Sequence, residues 1–373
     1  MFDISKRDAQ ATVVAQLAPE QFDFDAYAAY TAAQEKNVAD FFKKDSGVLV
    51  YRRFRVAEVY GHECSDKALS LRFQLGALQK SMDYAADMAN YLEPWYGIGI
   101  FPSAFGAQYV WKNGQAPAVR ACFSDLEEAL QFEPLTIADT PIGQEQLAYL
   151  EYFMDQTKGR LPISFGDIQS PLDAISMMLP VTELFIGMAE EPDLYIELAK
   201  RMTHAAVEFL HKQQQLLGSA QVFPGHGFAS SRVSTGIGAS ADSSIMISNP
   251  MFDALEAEHL ADLCDPFGGT YFHSCGNWEN KIPSILKIRN LRGIDAAFGA
   301  QTDPAPNDPA AFGKALAGTG KILNLRVVGD EREVASVVRR VWQPGLRLIV
   351  NTYCETAEQQ KAAYECVHEI CGC

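Results

Sequence analysis

Two residue types that bind metals stand two positions apart in this chain, His273 and Cys275. They lie where a β-prone run that begins at Gly269 ends, and alternation along an extended chain directs such a pair to the same face. An imidazole and a thiolate on one face suit zinc or another thiophilic ion. Taken alone, a histidine two positions before a cysteine is weak evidence of a metal site, because a cysteine after a strand is usually a small buried apolar residue.

Cys354 is the third candidate ligand. It lies just past the β-prone run 347–353 and two residues before Thr356, a predicted helix N-cap. In a (β/α)8 barrel the ends of different strands meet on one face, so residues distant in sequence converge there. The dipole of the following helix favours a thiolate at Cys354. Together with His273 and Cys275 it would leave a fourth zinc position open, as in catalytic zinc sites.

Short β-prone runs alternate with helical stretches from about residue 95 onward, which indicates a parallel sheet covered by helices. Seven such runs, with one more left unplaced, predict an α/β fold of the TIM-barrel type, (β/α)8. An open doubly wound sheet is the alternative, although its usual glycine-rich fingerprint is missing. The seven runs are 96–101, 161–166, 220–223, 269–272, 293–298, 321–327 and 347–353.

Residues 1–90 are predicted to be mainly helical, an N-terminal helical extension packed on a TIM-barrel catalytic domain over 91–373. The segment 68–91 illustrates the pattern. Its apolar residues recur at helical intervals, at Leu71, Leu75, Leu78 and Met82. Such spacing is typical of a helix that packs one face against a core.

Polar residues follow several predicted strands, which is where a barrel builds its active site. The candidate catalytic residues are Asp167, Gln169, His226 and Asp242, and the candidate cofactor-binding residues are Gln301 and Asn324. Each of them, taken alone, is more typical of a surface loop or a helix cap. His226 is preferred among them because a neutral imidazole binds metals and moves protons.

The composition excludes several classes of function. With 31 Lys and Arg against 47 Asp and Glu, the net charge is −16. This charge argues against a nucleic-acid binder and against a polybasic protein of membrane surfaces. No apolar run is long enough to span a bilayer, and the first residues lack an apolar signal core, so a cytoplasmic location is expected. The basic cluster Arg52, Arg53 and Arg55 favours a solvated patch over a substrate clamp.

The segment 273–277, His-Ser-Cys-Gly-Asn, resembles the H-x-C-G-N segment of the uroporphyrinogen decarboxylase superfamily. The closer resemblance is to its corrinoid-dependent methyltransferase branch, which includes the methylcobalamin:coenzyme M methyltransferases. The segment 248–252 is similar to the S-P-x-x-F helix start of that family, and 166–171 is similar to its strand-end loop. Glu191-Pro192 is similar to its D-P helix start.

This resemblance implies a TIM barrel in which His273, Cys275 and Cys354 bind one zinc ion. It implies methyl transfer between a methylated corrinoid and a small-molecule acceptor, a thiol or tetrahydrofolate. The chain lacks the D-x-H-x-x-G corrinoid motif, so methylcobalamin or another corrinoid would arrive free or on a separate corrinoid protein. Two alternatives stay open, a metal-free decarboxylase of the same superfamily and a non-catalytic barrel that binds a corrinoid or another ligand.

Overall fold

A computed structural model describes residues 11–56, 65–112, 116–225, 227–303 and 305–372. Within these ranges the strands form a six-stranded sheet and a separate hairpin. The strands are β1 (Gly47–Arg52), β2 (Gln108–Val110), β3 (Ala118–Arg120), β4 (Ile237–Ser240), β5 (Thr270–His273), β6 (Leu291–Ala297), β7 (Ile322–Val327) and β8 (Arg347–Thr352). The large sheet has the order β1-β8-β7-β6-β5-β4, and all its neighbours are parallel. The antiparallel hairpin pairs β2 with β3.

Isolated parallel bridges extend the pairing beyond β4. They join Ser240 to Gln169, Gln221 to Ile163, and Ile163 to Leu92. On the other side, the backbone N–H of Asp87 donates to the carbonyl of Val50 in β1 at 2.8 Å. These links lead from one edge of the sheet back towards the other, as in a TIM-like barrel. Strand ladders do not close that barrel within the described ranges.

Helices follow most of the strands and cover the sheet. In chain order the α-helices begin with α1 (Phe24–Phe42), α2 (Lys67–Ser81), α3 (Leu126–Gln131), α4 (Pro141–Thr157), α5 (Pro171–Ser176), α6 (Val181–Glu190) and α7 (Pro192–Leu217). They continue with α8 (Asn249–Met251), which runs through a π-helical turn (Phe252–Glu256) into α9 (Ala257–Cys264), and then α10 (Ile282–Ile285), α11 (Pro309–Leu316), α12 (Glu331–Val341) and α13 (Ala357–Cys371). The predicted N-cap of the last helix is confirmed, because Thr356 and Gln359 form a reciprocal capping box.

Four of the predicted β-runs are confirmed as β5, β6, β7 and β8. The runs 161–166 and 220–223 contribute only single bridges. The prediction of a strand at 96–101 is wrong, because Gly97 has a positive φ of 101° and a 3-10 helix begins at Phe101. Strand β4 was not predicted, and its sequence Ile-Gly-Ala-Ser offers little of the bulky β-branched signal on which such a prediction depends.

The first ninety residues differ from the expected helical extension. Helices α1 and α2 are present, but α2 ends at Ser81 instead of continuing to residue 91. Between them lies β1, which pairs with β8 from Gly47 opposite Arg347 to Arg52 opposite Thr352. Residues before 90 therefore supply a strand of the main sheet. The run Val-Leu-Val-Tyr within β1 is the signal that the helical interpretation overlooked.

The core lies between the sheet and its helices. Strand residues such as Ile294, Leu323 and Leu348 are fully or almost fully buried, as expected when helices cover a parallel sheet. In the part of the chain that is described, no helix combines the length and the apolar character needed to cross a lipid bilayer.

Candidate metal centre and cleft

The predicted pairing of His273 and Cys275 is present at the carboxyl end of β5. The Cys275 Sγ atom lies 3.6 Å from His273 Nε2. Gly276 follows with a φ of +79°, a conformation that glycine adopts without steric cost. This turn is anchored by its backbone, since the N–H groups of Cys275 and Gly276 donate to Asp242 Oδ1 and Asp303 Oδ2, both at 2.6 Å.

Asp242 joins the pair as a third donor. Its Oδ1 atom lies 3.9 Å from His273 Nε2, and the ligand atoms of Asp242, His273 and Cys275 all lie within 4.8 Å of one another. Strand pairing explains the approach, because Ser240 in β4 is opposite His273 in β5 and Asp242 begins the turn after β4. The sequence placed Asp242 among the catalytic candidates, and the structure brings its carboxylate close to His273 and Cys275.

Asp173 holds the turn that carries Asp242. Its carboxylate accepts the backbone N–H groups of Asp242 and Ser243, both at 2.7 Å. Burial, together with the nearby Asp242 charge, raises the pKa of Asp173 to about 7. Sequence reasoning missed this residue, although an acid in the first turn of α5, three positions after its N-cap Ser170, is a detectable signal.

A buried carboxylate orients the imidazole from behind. His273 Nδ1 lies 2.6 Å from Asp295 Oδ2, because β5 and β6 pair these two residues in register. Asn324 in β7 donates its amide to the other oxygen of Asp295. Asp295 was missed in the sequence, where an acid inside the apolar run 293–298 could have revealed it.

Charge pairing sets the protonation of this arrangement. Burial disfavours a charged imidazole, but hydrogen bonds with the Asp295 carboxylate and the Cys275 thiol outweigh it and raise the pKa of His273 to about 10. Burial also opposes a charged carboxylate, yet the charge of Arg326 and the bond with His273 lower the pKa of Asp295 to about 2. Metal binding at His273 Nε2 would therefore displace a proton.

Cys354 does not belong to this donor group. It is 1% exposed, and its Sγ atom lies 3.6 Å from the carbonyl oxygen of Gly329. Its own carbonyl accepts the Arg52 Nε–H at 2.8 Å. Burial raises the pKa of the Cys354 thiol to about 11, and its role as a zinc ligand stays a prediction. Desolvation of the thiol outweighs the opposing charge of Arg52.

The donor group opens into a cleft of about 290 Å³. Two further catalytic candidates line it, Asp167 and Gln169, which share a hydrogen bond. The Trp95 indole Nε1 donates to Asp167 Oδ2 at 2.8 Å and so joins the same wall. Trp95 was not predicted as a site residue.

Three arginines and three aspartates line the cleft, the aspartates being Asp167, Asp242 and Asp295. Arg53, Arg55 and Arg326 all face it. The predicted solvated basic patch is therefore wrong: Arg52 is 3% and Arg53 is 6% exposed, because they end β1 and follow it into the barrel. Arg53 pairs with Glu93 at 3.2 Å.

Arg326 has unused hydrogen-bonding capacity. Its Nε atom lies 2.8 Å from Asp295 Oδ2 as an ion pair. That approach is not aligned as a hydrogen bond, and neither Nε nor the buried Nη2 atom forms a hydrogen bond with any described residue. A buried guanidinium with open donors beside a cleft is suited to an anionic group.

Two of the remaining candidates, Asn324 and Gln301, do not line the cleft. Asn324 is buried behind the imidazole, where it supports Asp295. Gln301 is exposed in a turn, while its neighbour Thr302 lines the cleft. Cofactor binding by Asn324 and Gln301 stays a prediction. His226 lies outside the described residues.

Comparison with known proteins shows the fold. No protein-family model matches the chain, and no curated protein matches it. Among solved structures, a methyltransferase from Methanosarcina mazei is similar, with a TM-score of 0.62 and 13% sequence identity over 90% of this chain and 98% of that one. A likeness at this level of identity establishes a shared architecture.

Proposed function

We propose that this protein is a zinc-dependent methyltransferase that moves a methyl group between a corrinoid and a thiol or tetrahydrofolate acceptor. The donor group of Asp242, His273 and Cys275 carries the proposal. Tetrahedral zinc with bonds of about 2.0–2.3 Å separates its ligand atoms by about 3.3–3.8 Å. The distances of 3.6 and 3.9 Å around His273 Nε2 are close to these values, so the residues fit the ion.

The chain's own residues prepare the centre. Asp295 fixes the imidazole ring of His273 through Nδ1, which leaves Nε2 directed at Cys275 and Asp242. Carboxylate partners of this kind fix ring orientation and strengthen histidine ligands. Asp173 restrains the turn of Asp242. When bound, zinc would supply the Lewis acidity that maintains an acceptor thiol as a thiolate at neutral pH.

The fold supports transferase chemistry. The similar structure from Methanosarcina mazei is a methyltransferase, and the cleft lies at the carboxyl ends of parallel strands, where barrel enzymes react their substrates. The corrinoid is a substrate in this proposal, carried free or on a separate corrinoid protein.

The acceptor would carry an anionic group. Arg326 lines the same cleft as the donor group, and its buried Nη2 atom has no hydrogen-bond partner among the described residues. An anion at this position would complete the hydrogen bonding of a buried guanidinium, which otherwise carries a desolvation cost.

The third ligand is assigned to Asp242, with Cys354 as the alternative. Only Asp242 stands within the donor group, and Cys354 Sγ contacts the carbonyl of Gly329 instead. Two thiolates would make the site softer than one thiolate and one carboxylate. Which of the two residues binds therefore decides how strongly the site prefers a soft, thiophilic metal ion.

Metal content and turnover test the proposal. Purified protein should contain about one zinc per chain. Cys275→Ser should lose this zinc, because the substitution removes a thiolate ligand and with it much of the binding free energy. Cys122→Ser is the matched control, since Cys122 is exposed and outside the donor group. Zinc-loaded protein should consume methylcobalamin in the presence of one of a panel of thiols. Protein that takes up no zinc even after incubation with it would contradict the mechanism.

The arginine lining favours a second candidate, a metal-free lyase that acts on a carboxylate substrate. Three guanidiniums in one cleft suit several carboxylates. Metal analysis separates the two candidates, because decarboxylation of such a substrate by the zinc-free protein would support the lyase.

A further inference from the structure

A second cleft lies at the opposite end of the sheet, where the strands begin. It has a volume of about 260 Å³. Its lining includes residues at the starts of β6, β7 and β8, whereas the donor group follows the ends of β4 and β5. We call it the basal cavity, defined by Tyr271, Arg292, Thr319, Lys321 and Arg347.

Three cations line the basal cavity without an acidic partner. Arg292 Nε donates to the Gly268 carbonyl and Lys321 Nζ to the Leu291 carbonyl, both at 2.8 Å. All three guanidinium nitrogens of Arg347 donate to backbone carbonyls, those of Lys44, Gly320 and Phe42, so this residue contributes mainly its charge to the cavity. None of the three forms an ion pair with a carboxylate of the described residues.

This arrangement is unusual in so acidic a chain. The net charge is −16, with 47 carboxylates against 31 basic side chains. Elsewhere on the surface Arg289 pairs with three acids, Glu258, Asp262 and Asp265. Three cations that share a cavity repel one another unless an anion is present. Burial lowers the pKa of Lys321, and the charge of the nearby Arg292 lowers it further.

A tyrosine supplies the second observation. Tyr271 lines the basal cavity and is only 4% exposed. Its hydroxyl forms no hydrogen bond with the described residues, although its ring packs edge-on against Phe228 at 5.5 Å. This hydroxyl is not among the fully buried polar atoms that lack a hydrogen-bond partner, so it is accessible from the cavity. A ligand with acceptor oxygens in the cavity would provide a hydrogen-bond partner.

We propose that the basal cavity binds a phosphate group, either inorganic or carried by a small ester. Two guanidiniums and an ammonium match a doubly charged tetrahedral oxyanion better than a single carboxylate, and arginine binds phosphate oxygens in pairs. The Tyr271 hydroxyl donates to the same ligand. The volume suits a small molecule, and the acidic surface of the chain disfavours a nucleic acid.

Titration calorimetry with inorganic phosphate, pyrophosphate and glycerol phosphate tests the proposal, at constant ionic strength set with sodium chloride. We expect saturable binding of at least one of these probes. Arg292→Gln and Lys321→Gln should each weaken it about tenfold or more, the effect of losing a hydrogen bond to a charged group. Tighter binding of glycerol phosphate than of phosphate would identify an ester as the ligand.

Two control variants locate the binding. Arg332→Gln removes the same charge from an exposed position on α12, and Arg326→Gln alters the cleft beside the donor group. Arg332→Gln should bind the probe as the wild type does, and Arg326→Gln should retain the binding that Arg292→Gln and Lys321→Gln lose. Absence of saturable binding to the wild type, full retention in Arg292→Gln and Lys321→Gln, or loss in Arg326→Gln alone would overturn the proposal. Circular dichroism of each variant confirms that it is folded.

Discussion

The Nδ1 atom of His273 lies 2.6 Å from the Oδ2 atom of Asp295, across two neighbouring parallel strands. This contact decides which ring nitrogen faces the cleft. With Nδ1 occupied by the carboxylate, Nε2 is directed at the Cys275 thiol and the Asp242 carboxylate. The position of the carboxylate behind the ring is the arrangement that metal-binding histidines commonly use.

Replacing that carboxylate should weaken zinc binding. Asp295→Asn retains the shape of the side chain but removes its charge, so zinc affinity should fall about 10–100-fold. Competition with a chromophoric chelator measures the affinity. Asp253→Asn is the matched control, because Asp253 is paired with Lys287 on the surface and should bind zinc normally. Equal affinities of Asp295→Asn and the wild type would contradict this role.

A pair of variants identifies the third zinc ligand. Asp242→Asn should lose most of its zinc, whereas Cys354→Ser should retain it, because Cys354 Sγ lies outside the donor group. Zinc per chain after exhaustive dialysis is the measurement. Loss in Cys354→Ser with retention in Asp242→Asn would restore the ligand set predicted from the sequence.

Arg326 should govern the affinity for an anionic acceptor. Arg326→Gln removes the open guanidinium donors, so the KM for an anionic thiol should rise about tenfold or more. The KM for a neutral thiol of equal size should change much less, and the ratio of the two is the diagnostic quantity. A variant that raises both KM values equally would indicate a structural effect through Asp295, with which Arg326 is paired.

The buried Glu256 should make stability depend on pH. Burial raises its pKa from 4.5 to about 8, despite the hydrogen bond from the Tyr195 hydroxyl at 2.7 Å. Between those values the folded state holds a proton that the unfolded state releases, so its contribution to stability is present below pH 4.5 and is lost as pH rises through about 8.

Glu256→Gln removes this titration, so its stability relative to the wild type should increase between about pH 5 and pH 8. Urea unfolding across that range provides the comparison. The control is Glu365→Gln, since Glu365 is exposed on α13, and its difference from the wild type should be independent of pH. A constant difference for Glu256→Gln as well would show that this carboxyl does not titrate on unfolding.

The local spacing of residues along the chain was enough to predict the His273–Cys275 pair of the candidate site. His273 and Cys275 are neighbours because alternation along a strand end brings residues i and i+2 together whatever else the fold does. The capping box of Thr356 and Gln359 is equally local. The parallel order of β5 to β8 followed from the alternation of apolar runs with helices.

Only the tertiary structure decided which distant residues join that pair. Asp242 and Asp295 reach His273 through the register of β4 and β6 against β5, and register depends on the packing of the whole sheet. Cys354 stands at a strand end as predicted, yet its side chain is buried against Gly329. Arg53 reaches the cleft because β1, hidden in a segment expected to be helical, pairs with β8. Spacing along the chain determined the residue types available, and strand register and side-chain burial determined which of them meet.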